Sequence, residues 1–171
     1  FDRNGRLDLF TTNFSNESNA LFRQEEDLMF ADSSQGTIVD RTSRALVGWS
    51  AIAFDADCDR RTDLFVANGH VTQMPGEDWA QLPTLLKGAG RDFEESRQAG
   101  SWFEQHWHAR GACCVDLNRD GLDDLVVSLI DSPAALLLNT SPAPGNRIQL
   151  QLVGTSSPRS PEGAIVEVES A

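Results

Sequence analysis

The chain has 171 residues, 40% of them hydrophobic, so it is long enough to bury an ordinary globular core. Its formal net charge of −12 argues against a nucleic-acid partner, because nucleic acids attract basic surfaces. No run approaches the ~18 consecutive apolar residues of a membrane-spanning helix, so the sequence predicts no membrane span.

An acidic segment opens the chain at residues 1–10. Its Asp2, Asn4 and Asp8 match positions 3, 5 and 9 of a loop pattern that is complete further along, and position 1 would lie just before Phe1. We therefore expect the chain to be a fragment of a longer protein. The short apolar segments 20–23 and 28–31 come next and predict two strands.

A second acidic segment follows the apolar segment 51–54, and aspartates occupy its loop positions 1, 3, 5 and 9. They are Asp55, Asp57, Asp59 and Asp63. Arg60 stands at position 6, where a loop that folds back on itself needs positive φ and favours glycine. We expect this loop to be strained or differently shaped, and to bind a cation weakly or not at all. Residues 84–87 and 92–95 predict two further strands.

A third acidic segment, residues 116–127, has the most complete pattern, with glycine (Gly121) at position 6. Its oxygen-bearing side chains at positions 1, 3, 5 and 9 are Asp116, Asn118, Asp120 and Asp124. Short, hard oxygen ligands on a tight turn suit Ca²⁺, which takes about 6–8 of them, better than Mg²⁺, which keeps much of its water shell. A solvated acidic turn is the alternative, and it loses weight because the pattern occurs three times.

The helix–loop–helix calcium motif, the EF-hand, is a second alternative for this loop. It requires a bidentate glutamate at position 12 between two helices. Here position 12 is Val127, which lies in the apolar run 125–130, rich in β-branched residues and followed by Pro133. That run predicts a strand, and 111–115 predicts another before the loop, so we expect the loop to join two strands.

Position 9 of the loop recurs at intervals of 55 and 61 residues, as Asp8, Asp63 and Asp124, and these intervals define an internal repeat. Four short strands in roughly 60 residues is the size of a β-propeller blade with long loops. The acidic loop would then join the first and second strands of each blade.

The last third of the chain changes character after a predicted strand at 135–139. Residues 140–145 have the composition of a linker, and 147–153 and 164–169 alternate polar and apolar residues as half-buried strands do. We therefore divide the chain into incomplete propeller blades at 1–140 and a truncated second module at 141–171. The three cysteines fit neither a disulfide framework nor a zinc site, and we expect Cys113 and Cys114 to be small buried side chains of a strand.

The acidic loops resemble FG-GAP/VCBS-type repeats. Residues 48–71, from Gly-Trp-Ser-Ala to Asn-Gly-His-Val, and residues 19–23, Asn-Ala-Leu-Phe-Arg, are similar more specifically to the propeller of the cartilage acidic protein 1 group. Such calcium-binding blades also form integrin α-subunit propellers. Residues 146–154 and 160–168 resemble the start of the ASPIC/UnbV domain that follows the propeller in that group.

The resemblance implies an all-β fold, in which a partial, integrin α-like β-propeller of four-stranded antiparallel blades precedes a small β domain. It also implies Ca²⁺ as the cofactor and a set of ligands in each loop. The implied ligands are Asp116, Asn118, Asp120, Asp124 and the Leu122 carbonyl; Asp55, Asp57, Asp59, Asp63 and the Arg61 carbonyl; and Asp2, Asn4 and Asp8.

The function that the resemblance implies is binding or adhesion to a protein or glycan by a secreted, periplasmic or cell-surface module. The sequence lacks the common nucleophile and metalloprotease motifs, and the repeat accounts for its paired carboxylates better than acid–base catalysis does, so we expect no enzyme. Two alternatives stay open, because fold alone does not decide function. One is an extracellular propeller enzyme acting on polysaccharide, and the other is a purely structural spacer.

Overall fold

A computed structural model gives the fold and describes residues 1–73, 75–76, 79–96, 99–142, 150–155, 159 and 164–169. Within these residues the chain is mostly β, as the sequence predicts. The strands are β1 (Leu9–Thr11), β2 (Ala20–Glu26), β3 (Met29–Asp32), β4 (Gly48–Phe54), β5 (Asp63–Asn68), β6 (Thr84–Ala89), β7 (Asp92–Glu95), β8 (Ala109–Val115), β9 (Asp124–Leu129) and β10 (Ala135–Leu137). One α-helix, α1 (Ile38–Ser43), and a 3₁₀ turn (Ser101–Glu104) are the helical elements of the described residues.

The strands form three antiparallel sheets in which sequence neighbours pair. The first sheet has the order β1-β2-β3, the middle sheet β4-β5-β6-β7 and the third sheet β10-β9-β8. The middle sheet therefore has the four strands expected of one repeat. None of the three sheets closes on itself within the described part of the chain.

The second and third acidic segments each join two antiparallel strands, as predicted, and the two hairpins share one register. The pairs nearest the loop are Phe54 with Asp63 and Val115 with Asp124, and further away Ala51 with Val66 and Ala112 with Val127. Residues 61 positions apart therefore occupy equivalent places in the middle and third sheets.

Strand β5 lies at the centre of the molecule, with every one of its residues buried. Because successive side chains of a strand point to opposite faces, its apolar residues divide between two cores. Leu64 and Val66 pack with Leu21 of the first sheet, whereas Phe65 and Ala67 pack with Leu125 of the third sheet. The three sheets thus stack face to face in chain order, with β5 covered on both sides.

Helix α1 is an element that the sequence analysis missed. The Thr37 side chain caps its N-terminus by accepting a hydrogen bond from the Asp40 backbone nitrogen (3.4 Å), and Val39 is buried in the core between the first and middle sheets. Six residues are too few for helical periodicity to be visible, so only the threonine cap could have indicated this helix.

Cys113 is exposed and Cys114 is half-buried, so the prediction that both are buried is wrong for Cys113. The two residues point to opposite faces of β8, and only the Cys114 face packs against the middle sheet. The adjacent pair therefore reports which face of the third sheet is covered.

The two strands predicted in the tail do not form in the described residues. Residues 150–153 and 164–169 have no regular secondary structure, and residues 147–149 lie outside the described part of the chain. Ile165 is 90% exposed. An alternating pattern forms a strand only where a partner strand and a core face are available, and the described part of the chain offers neither to these segments.

Candidate metal centre

The position-9 aspartates of the three loops, Asp8, Asp63 and Asp124, hold the same place in the hydrogen-bond network. The nitrogen at loop position 2 donates to one oxygen of each carboxylate. These donors are the terminal ammonium of Phe1 to Asp8 (2.7 Å), and the backbone N–H groups of Ala56 to Asp63 (2.8 Å) and of Leu117 to Asp124 (2.8 Å). A backbone N–H on or just after the second strand beyond each loop donates to the other oxygen, namely Gln24 of β2 (3.0 Å), Gly88 of β6 (2.8 Å) and Asn139 just after β10 (2.8 Å). Each carboxylate thereby links its loop to the second strand that follows it.

The backbone of the three loops turns at the same two positions. Position 4 has positive φ in all three, at Arg3 (61°), Cys58 (61°) and Arg119 (62°), and so does position 6, at Gly5 (80°), Arg60 (67°) and Gly121 (84°). The loop therefore keeps its shape without glycine, and of the two outcomes expected at Arg60, a strained turn or a differently shaped one, the structure shows the strained turn. Arg60 holds the left-handed conformation at a cost of roughly 1–2 kcal/mol.

In the third loop, backbone nitrogens organise the predicted ligands. The Gly121 N–H donates to Asp116 Oδ2 (3.0 Å), and the Leu122 N–H donates to Asp120 Oδ1 (2.8 Å). Asn118 accepts from the Asp120 backbone (3.0 Å) and donates its amide to the Asp120 carboxylate (2.9 Å). The remaining oxygen of Asp116, Oδ1, is buried and has no hydrogen-bond donor. A buried carboxylate oxygen without a donor is costly, and a bound cation would satisfy it.

In the second loop, ligand oxygens of three aspartates lie within 4.8 Å of one another, namely those of Asp55, Asp57 and Asp63. Backbone nitrogens of residues 59 and 60 each donate to Asp55 (3.0 Å), and the Arg61 N–H donates to Asp59 (2.8 Å). Asp57 Oδ1 is buried without a donor, like Asp116 Oδ1. The loop that lacks glycine therefore brings together a set of acidic oxygens that suits a cation.

The second loop combines buried negative charge with a nearby ammonium group. Burial raises the pKa of Asp63, and the carboxylates of Asp57 and Asp59 add to that rise. The Lys87 ammonium on β6 forms an ion pair with Asp57 Oδ2, and the hydrogen bond to Asp57 is the main cause of the raised Lys87 pKa. The Arg61 guanidinium lies 3.8 Å from Asp59.

The first loop repeats part of the pattern with fewer acidic groups. The Asn4 N–H donates to Asp2 Oδ1 (3.1 Å), and the Arg6 N–H donates to Asn4 Oδ1 (2.8 Å). The Arg91 guanidinium lies 3.6 Å from Asp2. The structure therefore places Asp2, Asn4 and Asp8 in one loop, where cationic groups already neighbour two of the predicted ligands, Arg91 beside Asp2 and the Phe1 ammonium beside Asp8.

Residues after the loops also shape the sites, and the sequence analysis missed them. Lys87, Gly88 and Asn139 lie on or just after the third strand of their sheets, and they contact the loop carboxylates described above. The Asn139 amide also donates to the Ala56 carbonyl (2.7 Å), which links the third sheet to the second loop. The register of the third strand of each sheet places these residues beside the loops, and the sequence of the acidic loops alone does not indicate that register.

Comparison with models of known protein families gave no match, and comparison with curated proteins gave none either. Within its described residues, the chain has no helix with the length and hydropathy needed to cross a membrane. Membership of the FG-GAP/VCBS repeat family therefore stays a prediction based on the residues quoted above.

Proposed function

We propose that this chain is a calcium-binding β-propeller module that acts outside the cytosol or at the cell surface, and that it binds a protein or glycan without catalysing a reaction. The observation that carries the proposal is the buried acceptor oxygen left in two loops of the same geometry, Asp57 Oδ1 and Asp116 Oδ1. In the second loop, backbone donors hold the carboxylates of Asp55 and Asp63, and oxygens of Asp55, Asp57 and Asp63 lie within 4.8 Å of one another, so a cation would enter a set of ligands that is largely in place. In the third loop the backbone donors orient Asp116 and Asp120, but the acidic oxygens are not gathered to the same degree.

Calcium is the cation that these ligands fit best. Carboxylate, amide and carbonyl oxygens are its usual ligands, and its flexible coordination tolerates an irregular loop, whereas Mg²⁺ demands near-octahedral geometry. Extracellular calcium modules with Kd of about 10⁻⁴–10⁻³ M stay filled in their environment. This range favours a secreted, periplasmic or surface-exposed protein.

The stack of sheets supports the propeller part of the proposal. Successive sheets of a propeller pack face to face, and the middle sheet has both faces of β5 covered by its sequence neighbours. The equivalent register of the two loop-bearing hairpins is what repeated blades require.

A cleft of about 1280 Å³ offers a place for a partner. Half-buried aromatic side chains, among them Phe54 and Trp102, line it together with Arg41, and Asp57 and Lys87 of the second site also reach it. Aromatic faces beside charged groups suit a sugar ring or a protein side chain, so the partner class we propose is a glycan or a protein.

Calcium binding is tested by titrating the chelator-treated chain in a calorimeter and by following its thermal unfolding. For a site with Kd near ~1 mM, 10 mM Ca²⁺ would stabilise the fold by about 1.4 kcal/mol, which raises Tm by about 3–6 °C. Mg²⁺ at the same concentration should give a smaller shift. No heat and no rise in Tm with Ca²⁺ would overturn the proposal.

Paired variants separate ligand loss from a general loss of charge. The double variant Asp57→Asn and Asp116→Asn removes one carboxylate from each complete loop and should lose most of the calcium-dependent rise in Tm. The double variant Glu26→Gln and Asp27→Asn removes two exposed carboxylates at the β2–β3 turn, the same loss of charge, and should keep that rise. Equal responses from both variants would show that calcium acts only through bulk charge.

The binding role is tested separately with a glycan array probed in calcium and in chelator. Calcium-dependent retention of one glycan class supports the proposal, and release of new reducing ends from a polysaccharide would replace it with the enzyme alternative. A calcium-bound chain that retains no glycan and no purified matrix protein would leave the structural spacer as the better description.

A further inference from the structure

We propose that Lys87 is a tethered counter-ion that competes with calcium for the second loop, so the second and third loops fill at different calcium concentrations. The inference rests on the calcium function proposed above and assigns a role to a residue outside both loops. It predicts that the second loop, in which oxygens of three aspartates lie within 4.8 Å of one another, needs a higher calcium concentration than the third loop.

The first observation is the place of the Lys87 ammonium. It forms an ion pair with Asp57 Oδ2, and Asp57 belongs to the set whose ligand oxygens lie within 4.8 Å of one another. Lys87 therefore already supplies positive charge to one of the carboxylates that calcium would use. An incoming ion must displace the ammonium from Asp57 or bind beside it against like-charge repulsion.

The second observation is the equivalent position in the third sheet. Gly88 donates its N–H to Asp63, and Asn139 donates in the same way to Asp124, so the residues that precede these donors, Lys87 and Leu138, are equivalent. Leu138 is uncharged and 56% exposed. The third loop therefore lacks a tethered cation at this position.

Arg61 also pairs with a carboxylate of the second loop, but its guanidinium lies beside Asp59 (3.8 Å), which is outside the gathered set of Asp55, Asp57 and Asp63. The Lys87 side chain comes from the neighbouring strand and is 39% exposed, so its ammonium can swing into solvent when an ion enters. A flexible four-carbon stem suits a counter-ion that must leave.

The test follows one backbone amide in each loop by two-dimensional ¹H–¹⁵N NMR during a Ca²⁺ titration. Arg60 and Gly121 both stand at position 6, and both donate to the aspartate at position 1, so their amides are matched reporters. In the natural chain we expect the Gly121 amide to reach its midpoint at a lower Ca²⁺ concentration than the Arg60 amide.

Two reciprocal substitutions should move these midpoints in opposite directions. Lys87→Met keeps the length of the side chain without its charge, and it should lower the Arg60 midpoint at least tenfold while the Gly121 midpoint stays in place. Leu138→Lys adds the missing cation at an exposed position, and it should raise the Gly121 midpoint at least tenfold.

Lys87→Arg is the matched control, because it keeps the charge and should keep the natural midpoint for Arg60. If Lys87→Met shifts the Arg60 midpoint by less than twofold while the spectral dispersion is unchanged, the proposed role of Lys87 is overturned and the calcium function is not. If neither amide responds to calcium in the natural chain, the calcium function itself fails and the counter-ion role fails with it.

Discussion

Strands β5 and β9 occupy equivalent places in adjacent sheets, and their burial differs. Each follows an acidic loop and begins with a buried aspartate. All residues of β5 are buried, whereas β9 is buried on the face toward the middle sheet and leaves Ser128 exposed on the other. The cause is the neighbour and not the strand, because β5 lies between two sheets and β9 packs against one within the described residues.

The side chains of these strands differ in the same direction. Phe65 of β5 is fully buried between the middle and third sheets, and its equivalent on the outer face of β9 is the smaller Val126, which is half-buried. Leu136, the cross-strand partner of Val126, is 63% exposed. An apolar strand residue therefore indicates that its face of the sheet is covered only when another sheet is known to pack against that face.

The largest expected effect comes from truncating these two equivalent positions. Phe65→Ala leaves a cavity between two sheets and should lower the free energy of unfolding by about 3–5 kcal/mol. Val126→Ala removes less apolar surface from a half-covered face and should cost about 1 kcal/mol. Urea unfolding of both variants measures the difference.

Similar losses for the two variants would contradict the lower burial of β9, because they would mean that the outer face of the third sheet is covered in solution. Ala67→Ser is a useful additional variant, since it gives β5 the residue that β9 carries at the equivalent position. It should destabilise the fold, because the added hydroxyl is buried beside Phe65 and Leu125.

Much of the fold could be predicted from the sequence, because its strands are short apolar segments between strongly polar loops. The segments 51–54, 84–87 and 92–95 lie within β4, β6 and β7, and the acidic loops lie between the strands that they were expected to join. Three of the four predicted aspartates of the second loop, Asp55, Asp57 and Asp63, also come together. Local pattern carried these predictions, since loop and strand are adjacent in the chain.

What could not be predicted depends on pairing between distant residues. Lys87 contacts Asp57 only because the β5–β6 register places it there, and nothing in the composition of β6 indicates that contact. The exposure of Cys113 depends on which sheet faces are covered, and the irregular segment 164–169 depends on the absence of a partner strand among the described residues. These features depend on tertiary contacts, so the local sequence pattern gave either no indication of them or a wrong one.

A smaller loss of stability is expected on truncating Asn139, a position where the third sheet has a side chain and the middle sheet has none. The equivalent residue in the middle sheet is Gly88, which has no side chain to bridge from. The Asn139 amide donates to the Ala56 carbonyl (2.7 Å) and the Asp123 carbonyl (3.3 Å), and its oxygen accepts from the Ser141 N–H (3.0 Å). Asn139→Ala should therefore lower the free energy of unfolding by about 1–2 kcal/mol.

Thermal and urea unfolding measure the loss at Asn139, and the backbone N–H of the variant still donates to Asp124. Thr140→Ala is the nearby control at an exposed position and should change stability by less than about 0.5 kcal/mol. An Asn139→Ala chain as stable as the Thr140→Ala chain would show that the bridge to Ala56 contributes nothing to the packing of the two sheets.

The smallest expected effect is a difference in thiol reactivity between the two faces of β8, with no change in stability. Cys113 is exposed on the outer face, whereas Cys114 packs toward the middle sheet, where burial raises the pKa of its thiol to about 11. Because the thiolate is the nucleophile, iodoacetamide at pH 8 should modify Cys113 well before Cys114, as mass spectrometry of timed samples would show. Equal rates in the folded chain, or faster modification of Cys114, would mean that the inner face of the third sheet is open to solvent. Urea should abolish the difference, since unfolding removes the burial that separates two adjacent thiols.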